Sequence, residues 1–215
     1  LSRVDRLQEE LAWVLRSASV IGRLFRRRVL ARVAERETDL ERALSDLEDA
    51  QLIYQERAVP EEEYAFRHAL TQEAVYQTIL RRQRASFHRR VADATETLYE
   101  SDLSEYVEQL AYHYERSEED EKALEYLIKA GEKASRNYLN DEAIAYYRRA
   151  LDRIAKLPGT ASRQRHELDA KQGLGLIYHG VGDEEEAELC FRDAIRLCRE
   201  LGCPTTGLIR LYYWL

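Results

Sequence analysis

The chain has 215 residues, 34% of them charged, with only 9 Gly, 3 Pro and no Met. Average usage is about 7% Gly and 5% Pro, so the chain lacks the turn residues that a many-stranded sandwich or barrel consumes, and a mainly helical protein follows. Lys+Arg 33 against Asp+Glu 40 leaves a net charge of -7 and no general pull on a polyanion. The 45% apolar content argues against disorder. No apolar run approaches the roughly 18 residues of a membrane span, so the chain reads as soluble and cytoplasmic, with no membrane partner.

Leu7, Leu11, Val14, Leu15 and Ala18 form a helical stripe that stops at Gly22, and a second short helix is expected from about Phe25 to Ala34. Thr38 or Asp39 caps a third helix, whose inner face is Leu40, Ala43, Leu44 and Leu47. Its outer face is acidic, with Asp39, Glu41, Asp46, Glu48 and Asp49. The period then changes. LIYQER (52–57) and YAFRH (64–68) flank a turn-like AVPEEE that contains Pro60, which predicts a hairpin, the only strand signal in the chain. Three helices and a two-stranded wing over residues 1–80 have the layout of a winged-helix domain. A recognition helix lined with carboxylates is repelled by phosphates, and the cluster Arg23, Arg26, Arg27, Arg28 and Arg32 lies one helix earlier, so DNA is disfavoured as a partner. A DNA-binding transcriptional regulator with a repeat-type sensor stays as the alternative reading.

Residues 81–215 are helical throughout. Phe87, Val91, Ala94 and Leu98 make one face of a helix, and its His88, Arg89 and Arg90 read as a solvated flank. Further on, Leu110-Ala111-x-x-Tyr114 is followed by Ala123-x-x-x-Leu127-x-x-Ala130. Sixty-four positions later stand Leu174-Gly175-x-x-Tyr178 and Ala187-x-x-x-Phe191-x-x-Ala194. This is the tetratricopeptide pattern, in which small residues let two antiparallel helices approach and large ones fill the rest. Gly182 and Asp183 supply the turn and the cap of the second copy. A third, irregular copy, Ala143-x-x-x-Tyr147-x-x-Ala150, leaves no room for its own first helix. The helix over about Asp120–Tyr138 must therefore serve twice, with Ala130, Gly131 and Ala134 facing the next hairpin. The whole predicts a mainly α chain, a small winged helix followed by a tetratricopeptide-like α-solenoid. Leu208, Ile209, Leu211, Tyr212, Tyr213, Trp214 and Leu215 make an apolar helix start without a polar face. That end predicts further repeats beyond residue 215 or self-association through this helix.

In such arrays the first helices line a groove for peptides or partner helices. Glu105, Glu108, Tyr112 and Glu115 share one face, and their counterparts at the same offset are Asp169, Gln172, Leu176 and His179, which together predict an acidic groove for a protein or peptide partner. Catalysis has nothing to stand on. The chain has no G-x-x-x-x-G-K-[ST], no H-E-x-x-H, no nucleophile with a recognisable base and no metal-ligand spacing. Gly173-x-Gly175 with Gly180 lies inside a predicted helix, so it reads as packing. Cys190, Cys198 and Cys203 match no zinc pattern and read as reduced thiols.

LSRVDRLQEELAWVLRSASVIGRLF, LERALSDLEDAQLIYQER and YAFRHALTQEAVYQTIL resemble the winged-helix segment of signal-transduction ATPases of the STAND class, and the likeness extends over nearly the whole chain. In particular it resembles bacterial regulators in which an AAA-type ATPase module is followed by helical repeats, often in one protein with a class III adenylate or guanylate cyclase, a kinase or a DNA-binding output domain. The resemblance implies a non-catalytic regulatory fragment that docks on the parent's own ATPase domain and couples partner sensing to its switch. It also implies ATP or ADP with Mg in the parent protein and no cofactor in this fragment. In that class a histidine where the wing meets the next helix contacts the nucleotide's phosphate, and His68 stands at the matching place, with Arg67 and Ala69 where Met and Asp are expected.

Overall fold

The computed structural model describes residues 7–34, 39–204 and 213–214. The chain divides into two compact units: residues up to Tyr106 with Arg116–Glu118, and Val107–Glu115 with Glu119 onward.

In the first unit, α1 (Glu9–Ile21), β1 (Leu24–Arg26), α2 (Arg27–Ala34) and α3 (Leu40–Asp49) precede β2 (Ile53–Arg57) and β3 (Glu63–Phe66). Then come α4 (Ala69–Thr78) and α5 (Arg81–Leu98). The Asp39 carboxylate accepts from the Arg42 N–H and caps α3, which serves one of the orphan donors of its first turn. Thr38 lies outside the described residues.

The strands form an antiparallel sheet in the order β1-β3-β2, so a third strand joins the predicted hairpin. Phe25, expected to open a helix, pairs with Tyr64, and α2 starts only at Arg27. The Phe25 ring is 1% exposed and lies 6.1 Å from the Tyr64 ring and 5.8 Å from that of Phe66. Tertiary burial holds three residues in a strand that is too short to show a period.

The first core does not stop at residue 80. Phe87, Val91 and Ala94 of α5 pack with Leu15, Leu30, Leu47 and Ile53, and Trp13 lies 4.8 Å from the Phe87 ring while its Nε1 donates to the Ala34 carbonyl at 2.8 Å. His88, expected on a solvated flank, is only 1% exposed, with Nε2 3.0 Å from the Tyr76 hydroxyl. The Tyr76 ring of α4 packs edge-on against the imidazole, with centroids 5.9 Å apart.

The second unit holds α6 from Val107 (the helix runs Leu103–Glu115), α7 (Asp120–Arg136), α8 (Asn140–Ile154), α9 (Ala161–Val181) and α10 (Glu184–Glu200). α7 is buried on several sides, at Ala123, Leu127 and Ala130 and also at Tyr126, Gly131 and Ala134, as a helix shared by two hairpins must be. The Tyr114 and Tyr126 rings stack at 5.3 Å.

Tyr147 of α8 is wedged between two glycines. A Cβ at Gly131 of α7 would lie 2.8 Å from its Cε1, and one at Gly173 of α9 would lie 2.3 Å from its Cζ. In the next hairpin Gly175 and Phe191 repeat the contact, a Cβ there lying 2.7 Å from the Phe191 ring. Gly131 to Gly175 and Tyr147 to Phe191 are both steps of 44 residues, so α7/α8 and α9/α10 are successive copies of one packing unit.

Their turns match as well. α9 ends with Gly182 at φ 81° and Asp183 N–H donating to the Tyr178 carbonyl, and α7 ends with Tyr138 at φ 58° and Leu139 N–H donating to the Ala134 carbonyl. Tyr138 thus holds a left-handed conformation that a side chain disfavours by about 1 kcal/mol, and its ring, 88% exposed, recovers little by packing. Tyr138→Gly is expected to leave stability unchanged or raise it by up to about 1 kcal/mol in urea unfolding, whereas Gly182→Ala lowers it by a similar amount.

Candidate functional site

His68 is exposed at the N-terminal boundary of α4, with φ -130°, and its side chain does not cap the helix. The imidazole is therefore open at the helix start, where backbone N–H groups also point outward.

The acidic face predicted on α6 is largely engaged within the second unit. Glu108 binds Lys133 of α7 at 2.8 Å. Glu115 takes Arg149 of α8 in a fork, with Nε to Oε1 at 3.0 Å and Nη2 to Oε2 at 2.5 Å. That fork holds the Arg149 guanidinium above its usual range against the cost of desolvation. Arg153 adds two bonds to Asp120 Oδ1, at 2.9 and 2.6 Å, and one to the Glu115 carbonyl. A cleft of ≈ 340 Å³ opens beside this cluster, lined by its two arginines together with Asp152 and Lys156. Carboxylates paired with cations of the following helices tie α6 to α7 and α8 and do not present a bare acidic groove. Glu105 and Tyr112 are exposed on the same helix.

The other half of the predicted set lies on α9. Asp169 and Leu176 are exposed, Gln172 and His179 half-buried, and they recur at intervals that put them on one side of the helix. Leu176, 41% exposed, is an apolar side chain on an otherwise polar strip. His179 Nδ1 lies 3.1 Å from Glu184, and its ring is 5.2 Å from that of Trp214. Trp214 is half-buried and also stacks at 6.4 Å on Phe191. Leu208, Ile209, Leu211, Tyr212 and Leu215 of the predicted apolar end lie outside the described residues.

Neighbouring atoms partly desolvate the Asp169 carboxyl and raise its pKa, with the Glu132 carboxylate of α7 adding to the effect and His166 opposing it. The offset of 64 that relates the α6 and α9 faces leaves Glu132 of α7 outside the predicted set. At 44, the step that the glycine contacts obey, Glu132 corresponds to Leu176 and Glu125 to Asp169.

Three arginines of the first unit's basic cluster are engaged as well. Arg26 pairs with Glu63 at 3.1 Å, Arg27 with Glu62 at 3.3 Å and Arg28 with Glu61 at 4.0 Å. Arg26 further stacks on the rings of Tyr99 and Tyr106, at 5.0 and 5.2 Å. Among the described residues no group of three or more His, Cys, Asp or Glu is placed to hold a metal ion, and no helix is long and apolar enough to cross a membrane.

Residues 168–201, the C-terminal two thirds of α9 with α10, match the tetratricopeptide repeat family. An uncharacterized protein of Rhizobium meliloti (strain 1021) is 32% identical over 140 residues, which cover 63% of this chain and 13% of that protein. The chain therefore spans a small part of this relative's length. No solved structure matches the chain.

Proposed function

We propose that this chain is a non-catalytic regulatory segment of a multidomain signalling ATPase, in which a winged helix docks on the ATPase module and a tetratricopeptide array receives a protein partner. The observation that carries the reading is the repeated hairpin. α9/α10 matches the repeat family, α7/α8 reproduces its glycine–aromatic contact 44 residues earlier, and repeats of this kind serve protein–protein interaction. The strand between α1 and α2, the hairpin after α3 and the sheet order β1-β3-β2 support the winged-helix reading. The far longer relative supports a multidomain parent.

The partner docks on the strip Asp169, Gln172, Leu176 and His179, where the exposed Leu176 supplies apolar area and the carboxylates of Glu132 and Asp169 favour a basic ligand. Partner binding shifts the population of the closed state, which His68 helps to hold through a phosphate of ADP bound with Mg in the parent protein. DNA recognition is disfavoured, since the acidic outer face of α3 remains and Arg26, Arg27 and Arg28 are already paired with Glu63, Glu62 and Glu61.

The test uses the whole parent protein. His68→Ala is expected to lower the ADP retained on purification while this segment stays folded, and duplex DNA at low salt is expected to leave the mobility of the chain unchanged. Unchanged ADP occupancy sinks the nucleotide role, and a salt-dependent shift with DNA favours the transcription-regulator reading.

A further inference from the structure

The last turn of α10 brings two thiols together. Gly202 N–H donates to the Arg199 carbonyl at 3.1 Å and Cys203 N–H donates to the Cys198 carbonyl at 2.9 Å, with Gly202 at φ 66°. In this closure the side chains of the first and last residues meet. The same closure joins Ala134 to Leu139 after α7 and Tyr178 to Asp183 after α9. At α10 the pair that meets is Cys198 and Cys203.

Their environments differ. Cys198 is 2% exposed, whereas Cys203 is half-exposed and open to a small oxidant. Cys190, the remaining thiol, is buried eight residues before Cys198, about 12 Å along the helix axis at 1.5 Å per residue and beyond the reach of a disulfide.

We propose that Cys198 and Cys203 are a modification site, forming a reversible intrachain disulfide across the C-terminal turn of α10 when a peroxide is present. The Cys203 sulfur attacks one peroxide oxygen, the O–O bond breaks, and the products are a sulfenic acid and one water. The Cys198 sulfur then attacks the sulfenic sulfur. The S–S bond forms, the S–O bond breaks, and the hydroxyl leaves with the Cys198 proton as a second water. Two thiols give up two electrons and two protons, and the peroxide is reduced to two waters. Burial and the hydrogen bond with Cys203 push the Cys198 thiol up to about 11, which disfavours its direct attack on peroxide and leaves that step to the more exposed Cys203. A dithiol reductant reverses the bond by exchange.

The experiment treats the full reduced chain with hydrogen peroxide, blocks the remaining thiols and digests with trypsin, which cuts at Arg199 between the two cysteines. The expected product joins the peptides that carry Cys198 and Cys203 within one chain and falls apart in dithiothreitol. Cys203→Ser abolishes it, and Cys190→Ser leaves it in place. A joined product that needs Cys190, one that forms only between two chains, or Cys203 carried to sulfinic acid without any joined product overturns the proposal. The wild-type digest decides the matter alone if a variant fails to fold.

Discussion

Gly173→Ala is expected to destabilise the second unit by about 2 kcal/mol, although the same change at an open helical site stabilises a protein. Replacing a mid-helix Gly by Ala gains up to about 1 kcal/mol in propensity. At Gly173 the new methyl would lie 2.3 Å from Cζ and 2.6 Å from the hydroxyl of Tyr147, whose ring is pinned on its other side by Gly131. Carbon atoms prefer about 3.5–4.0 Å, and overpacking of this kind costs about 1–3 kcal/mol or more. Gly180, on the same helix α9, has nothing within 4 Å of a built Cβ. Gly180→Ala should therefore stabilise by about 0.5–1 kcal/mol. Urea unfolding of both variants checks the contrast, and in a Tyr147→Leu background the cost of Gly173→Ala should vanish. Equal effects at both glycines would show that the wedge is not what holds α7, α8 and α9 together.

Acid should weaken the first unit through His88. Burial is the main reason that its pKa falls from 6.5 to about 4, and the charges of Arg116 and Arg84 add to it. A histidine whose folded pKa is depressed binds its proton more readily in the unfolded chain. The stability present above pH 6.5 is therefore lost as the pH falls from 6.5 toward 4. At 1.36 kcal/mol per pH unit the loss is about 3 kcal/mol once the pH is below both values. Denaturant unfolding at pH 7 and pH 4.5 should show a drop of that order in the wild type and a much shallower one in His88→Gln. Parallel slopes for the two proteins would place the acid sensitivity elsewhere.

Much of this architecture is legible in residue spacing, because long amphipathic helices carry their period with them. α3, α5, α7 and α10 stand close to where their apolar residues predict. The shared role of α7 follows from the lack of room between Ala130 and Ala143, and its burial on several sides agrees. What escaped depends on partners remote in sequence. β1 is a strand because Phe25 meets Tyr64, thirty-nine residues away, and His88 is buried where the Tyr76 side chain of α4 packs edge-on against it.

The candidate groove shows the same limit. Glu115 looks like an open acidic position until Arg149 is brought across from α8. The offset of 64 scored well in pattern, but the wedge of Tyr147 between Gly131 and Gly173 makes 44 the physical step and brings Glu132 near Asp169. The cysteine pair is hidden in the sequence for a similar reason, since a spacing of five matches no metal or redox motif and only the turn at Gly202 makes it a contact.

On the proposed function, the outward face of α9 receives a protein partner. The most direct measurement places a photo-crosslinking residue at position 176 of the whole protein and, separately, at Arg192, exposed on α10. A defined protein adduct at 176 that is absent at 192 and lost when Asp169→Lys is added is the predicted result. Adducts at 192 alone, or adducts at 176 indifferent to Asp169→Lys, would contradict it.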